Sequence, residues 1–213
     1  MQWLRKGGPR RIDNFVVGGR GDLPSRVLVA LLEEVERNYD VTISVVEINA
    51  EPTLNNFCYE KGLKYTFVKA YPTTYTEYRL MLTQTLNQVG DDPLVVMPDT
   101  SEDLIAYTIG EVLQGNLKGL SIDISSRVAY PFAAVSLKTI AVLFPHNIGN
   151  ISFLYTVSPV RELAEDLLLS IPTFSFSVIK TLFAIIQAIK QEKDIKTCAL
   201  LGSCAAVYGG SPR

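Results

Sequence analysis

The sequence predicts an α/β fold: a parallel sheet with helices on both faces, followed by a helical C-terminal part. Three observations lead there. Short apolar or β-branched runs alternate with amphipathic stretches of helical period. The alternation holds over the first four strand–helix pairs, the pattern that builds parallel sheets. A glycine-rich turn, "GGRGD" at 18–22, joins the first run to the first helix.

The elements follow in order. Residues 14–17 (NFVV) read as a short apolar strand, and 25–38 as a helix. Val27, Leu28, Leu31, Leu32 and Val35 share one helix face, with Glu33, Glu34 and Glu36 largely off it. Pro24 and Ser25 suit its first turn. Residues 41–48 (VTISVVEI) are β-branched and long enough for a buried strand. A helix over 53–61 ends at Gly62, a strand follows at 64–69 (KYTFVK), then a helix at 77–88 and a strand at 93–97. Ser101 is expected to cap the next helix, with acids in its first turn complementing the helix dipole. Its expected buried face is Leu104, Ile105, Ile109, Val112 and Leu113, and Gly115 ends it. Beyond residue 125 short helices are expected at 136–144, 159–170 and 175–191. The last carries two apolar stripes: Phe176, Ile179, Phe183 and Ile186, then Val178, Leu182, Ile185 and Ile189. Both stripes pack into the domain, or one docks a partner.

The expected organisation is a basic arm at 1–11, an α/β core at 12–125, a helical continuation of the same domain at 126–192 and a cysteine-containing tail at 193–213. With 213 residues the chain can bury a sizeable core. A net charge of −2 excludes a global field attracting nucleic acid, so any RNA contact must be local. Arg5, Lys6, Arg10 and Arg11 form one basic cluster, read first as a solvated tail and alternatively as a phosphate contact. Three scattered cysteines are no secreted disulfide framework, no signal-peptide pattern is seen, and Pro172 and Lys180 interrupt the most apolar stretch. The expectation is a soluble cytoplasmic protein without membrane association.

Ligands of such sheets bind beyond the strands' carboxyl ends, so the loop after the first strand is the candidate site. Backbone N–H groups in a glycine turn before a helix point at one spot and can hold phosphate. The turn is neither a Walker A loop nor a GxGxxG fingerprint.

The layout resembles the PP-loop ATP pyrophosphatases, whose first unit is strand–SGGxDS–helix. Val17, Gly18, Gly19, Arg20, Gly21 and Asp22 fall on those six positions; both glycines are kept, and both serines and the aspartate are lost. "MPDTSEDLIAYTIGEVLQGNLKGL" (97–120) is similar to the GHNxDDxAxTxxxNxxRG segment of the tRNA-modifying members, with Ser101, Glu102 and Asp103 near the acidic positions and Gly115 on the closing glycine. "RVAYPFAAVSLKTIAVLF" (127–144) resembles their R-x-x-P-L…-E-I-x-x-Y segment, and 158–185 the helical pair around a P-G-T-like turn. The resemblance spans about residues 12–190 and points to the tRNA 2-thiolation branch.

The resemblance implies a Rossmann-like fold of the adenine nucleotide alpha hydrolase kind. It also implies a remnant nucleotide site of Gly18, Gly19, Arg20, Gly21 and Asp22, with Ile48 and Asn49 where adenine is met and Asp22 or Asp99 as magnesium ligand. The departures imply a degenerate paralogue. Val17 offers no hydroxyl, Asp22 would repel a triphosphate, and "YPTTYTEYR" (71–79) and "ISFLY" (151–155) lack the thiols that thiolation uses. The implied function is a non-catalytic or tRNA-binding subunit, with a catalytic PP-loop paralogue and tRNA as partners, or a homodimer. The alternative is an enzyme or sensor that binds ATP or AMP, with ATP and magnesium as cofactors. No iron–sulfur cluster is expected, because thiolates are missing at those places. Cys198 and Cys204 are a candidate metal pair, but zinc wants four ligands, and Cys58 and His146 offer no obvious completion.

Overall fold

The computed structural model describes residues 14–36, 41–89, 93–115, 127–145, 159–171 and most of 173–188. The described elements are β1 (Phe15–Gly19), α1 (Leu23–Glu36), β2 (Ile43–Asn49), α2 (Asn55–Glu60), β3 (Lys64–Lys69), α3 (Tyr75–Val89), β4 (Leu94–Val96), α4 (Ser101–Leu113), β5 (Arg127–Ala129), α5 (Leu137–Leu143) and α6 (Pro159–Ser170). Further helical residues lie within 174–188.

The strands form one parallel sheet in the order β3-β2-β1-β4-β5. β1 is central, with Val17 opposite both Val45 and Val96. Side chains alternate across the pleat, and here both faces are covered, so β1 is buried at every residue. Phe15 and Val17 face a core built with Val27, Leu28 and Leu32 of α1, Cys58 of α2 and Ile140 of α5. Val16 faces the other core, with Tyr78, Leu82 and Leu86 of α3, Leu104 and Tyr107 of α4, and Leu182. The order reverses direction at β1 and β4, which opens a crevice beyond their carboxyl ends.

Several local expectations change. Helix α1 begins at Leu23 instead of residue 25, because Asp22 supplies the cap. The cap of α4 is Thr100, not Ser101. Its side chain accepts from the Asp103 amide while the Asp103 carboxylate accepts from the Thr100 amide, a reciprocal capping box. Val112 and Leu113, expected on the buried face of α4, are 48% and 71% exposed. β5 lies in the stretch expected to be helical after residue 125; at three residues it is too short to show an alternation. Of the second apolar stripe, Val178 and Leu182 are buried and Ile185 packs against the α3–α4 core. Phe176 of the first stripe is 57% exposed. Ile179, Phe183, Ile186 and Ile189 lie outside the described residues, as do the basic arm and residues 193–213.

Candidate functional site

The crevice beyond β1 and β4 is closed by the side chain of Arg20. β1 ends at Gly19, so Arg20 is the first residue of the turn into α1, and its guanidinium points across the sheet toward β4. Nε lies 2.8 Å from Asp22 Oδ2, an ion pair without hydrogen-bond geometry. Nη1 donates to Asp99 Oδ1 at 2.8 Å and Nη2 to Asp103 Oδ2 at 3.2 Å. All four groups are buried. Burial works against the charge of Arg20, but Asp22, Asp103 and Asp99 outweigh it and hold the guanidinium protonated.

Each aspartate has further partners. Asp22 Oδ1 accepts from the Ser25 amide at 3.0 Å and from the Ser25 hydroxyl. The Tyr75 hydroxyl, at the start of α3, donates to Asp99 Oδ2. Asp103 accepts from Thr100 N at 3.0 Å, and its Oδ1 accepts from Arg161 Nη1 of α6 at 2.6 Å. Burial lifts the Asp99 carboxyl above its ordinary value against the pull of Arg20. Burial acts on Asp103 too, but Arg20, Arg161 and the Thr100 donors outweigh it and hold that carboxyl below its ordinary value.

A second guanidinium, Arg79, completes the buried cluster. It lies 5.7 Å from the centre of the Tyr75 ring and 5.5 Å from that of Tyr130, and 3.8 Å from Asp99 Oδ2. The stretch 71–79 therefore places tyrosine and arginine beside Asp99.

One amide of the turn and one of the first turn of α1 are also engaged internally. The Arg20 amide donates to Ser25 Oγ at 3.0 Å, and the Ser25 amide is the one capped by Asp22. A Cβ on Gly18 would come within 2.8 Å of Leu82 Cδ2 and Met97 Sδ. One on Gly21, whose φ is +77°, would come within 2.2 Å of Thr53 Oγ1. At these glycines protein side chains pack against the backbone where a Cβ would not fit.

Of the sequence-derived site residues, the structure brings Arg20, Asp22 and Asp99 together. Asn49 joins at the edge, its Nδ2 donating to Arg20 O at 3.3 Å. Ile48 is fully buried in the α3–α4 core. Cys198, Cys204 and His146 lie outside the described residues. Sequence reasoning did not single out Tyr75, Arg79, Arg161 or Glu47. Glu47 is buried at the end of β2 and accepts from Thr53 N (3.0 Å), Thr53 Oγ1 (2.6 Å), Leu54 N (3.0 Å) and Tyr65 OH (2.6 Å). A glutamate inside a β-branched run was its signal, since a buried carboxylate needs donors.

No family profile and no curated protein sequence matches this chain. Solved structures do. One match is the U34-tRNA thiolase NcsA from Methanococcus maripaludis with its [4Fe-4S] cluster, at a TM-score of 0.67 and 14% identity, covering 87% of this chain and 77% of that one. This chain has the fold of a tRNA thiolase. The Rossmann-like parallel architecture expected from the sequence is thereby shown, with β5 added as a fifth strand.

The same match corrects one expectation. NcsA carries an iron–sulfur cluster, so the fold hosts one, and the missing thiols at 71–79 and 151–155 do not support expecting none. Among the described residues no group of three or more His, Cys, Asp or Glu is arranged to hold a metal ion. Cys58 is buried in α2, where burial and then Glu47 push its thiol up to about 11. No helix among the described residues is long and apolar enough to cross a membrane.

Proposed function

We propose that this chain is a degenerate PP-loop protein of tRNA 2-thiolation, a non-catalytic and tRNA-binding partner of a catalytic PP-loop paralogue. The fold shared with NcsA supports the thiolation setting. The observation that carries the non-catalytic reading is Arg20 closed on Asp22, Asp99 and Asp103.

A triphosphate entering this crevice would meet three carboxylates. At an effective dielectric near 20, each like-charge contact at about 4 Å costs about 4 kcal/mol. Arg20 is already neutralised, so using it would first break a buried ion-pair cluster, at about 3–5 kcal/mol. A dissociation constant of about 100 μM is worth about 5.5 kcal/mol in total. The cost of opening the site is therefore as large as ordinary nucleotide affinity. Val17 adds no hydroxyl to offset it.

The test is reconstitution. The full chain is co-expressed with a paralogue carrying a complete SGGxDS loop, and tRNA thiolation is measured for each protein and for the pair. The expected result is co-purification, thiolation by the paralogue, and tighter tRNA binding by the pair. ATP-dependent thiolation by this chain alone would overturn the non-catalytic reading. Neither co-purification nor tRNA binding would overturn the partner reading.

A further inference from the structure

The arrangement around Arg20 is built around the guanidinium itself. Three carboxylate oxygens meet three different nitrogens of one planar guanidinium: Nε at 2.8 Å, Nη1 at 2.8 Å and Nη2 at 3.2 Å. They come from three separate places: the turn before α1, the loop after β4, and the first turn of α4. Each carboxylate is also oriented by a group other than Arg20. Ser25 holds Asp22, Tyr75 holds Asp99, and Thr100 with Arg161 holds Asp103. Such second contacts keep an acceptor set in place independently of what it binds. The guanidinium's rigid fork of donors matches carboxylates spread around it, which a point-charge ammonium does not.

We propose that Asp22, Asp99 and Asp103 form a guanidinium receptor and that Arg20 is its built-in ligand. The crevice is thus a cation site that the chain fills itself. This holds whether or not the protein serves tRNA thiolation. The device also ties the β1–α1 turn to α6, because Asp103 shares its two oxygens between Arg20 and Arg161.

The experiment vacates the receptor. The full-length Arg20→Ala variant is melted with millimolar guanidinium chloride, far below the molar range in which that salt denatures. Sodium chloride at equal ionic strength, urea and magnesium-ATP are the comparison additives, and the unaltered protein is the reference. The variant is expected to melt about 10 °C lower and to recover part of that loss, saturably, with guanidinium only. A response to guanidinium equal to that of the unaltered protein overturns the proposal. Stabilisation by magnesium-ATP without any by guanidinium overturns it too, because the vacated site would then prefer anions. If Arg20→Ala does not fold, Arg20→Lys and Arg20→Met decide. The lysine variant keeps the cation and is expected to melt higher; a methionine variant at least as stable refutes a receptor for cations.

Discussion

Asp103→Ala is expected to damage this fold heavily through a single side chain. Asp103 is buried and does three things at once. It accepts from Arg20 and from Arg161, and it forms half of the capping box of α4 with Thr100. Removing one partner of a buried pair costs about 3–5 kcal/mol, because it strands the other charge. The loss is limited here, since Arg20 keeps Asp22 and Asp99 and Arg161 keeps Glu165 at 3.0 Å. Loss of the cap adds about 1 kcal/mol. These terms overlap, so a total of about 4–5 kcal/mol is expected, or about 10–20 °C in melting temperature at this size. Asp103→Asn keeps a carbonyl oxygen for the Thr100 amide and is expected to cost about 3 kcal/mol. Urea unfolding followed by circular dichroism measures both. A loss under about 1 kcal/mol for the alanine variant would refute the reasoning, since the cluster would then be electrostatically idle.

The other expectations are these. The folded-state pKa of Asp103 lies below its ordinary value, so its contribution is present above about pH 4 and fades as the pH falls through the folded value. The stability gap between the unaltered protein and Asp103→Asn should therefore close on acidification below about pH 4, seen in urea titrations at stepped pH; a gap that widens there contradicts the assignment. Gly21→Ala meets both a φ of +77° and Thr53 Oγ1 at 2.2 Å, and is expected to cost about 2–4 kcal/mol. Gly62→Ala meets a φ of +66° with nothing within 4 Å, and is expected to cost only about 1–2 kcal/mol, so equal losses would argue against close packing at the turn. Cys58 is buried with its thiol pushed up to about 11, so site-resolved mass spectrometry should find it unalkylated at pH near 8 until the protein unfolds.

The fold was legible where a pattern is local. β3 at 64–69 and α6 at 159–170 stand where their sequence periods put them. β5 was not, because three residues carry no period, and its place depends on pairing with β4. The exposure of Val112 and Leu113 was hidden for a similar reason: the burial of a helix end depends on what packs over it. At the site, Arg20 and Asp22 were legible as positions in a loop motif, and Asp99 as a candidate magnesium ligand. Their meeting was not, because the contacts link the turn after β1 to the loop after β4 and to α4 across 79 and 83 residues of chain, and α4 to α6 across 58. Arg79 and Arg161 read in sequence as ordinary charges on amphipathic helices. Only the tertiary fold turns them inward.

The most direct test of the central claim is a calorimetric titration of the full-length protein with magnesium-ATP, with a thermal shift alongside. A closed Arg20 cluster is expected to give no binding heat and no shift in melting temperature at millimolar ATP. A saturable heat with a dissociation constant tighter than about 100 μM, worth about 5.5 kcal/mol, would contradict it: the turn after β1 would still be a working nucleotide site.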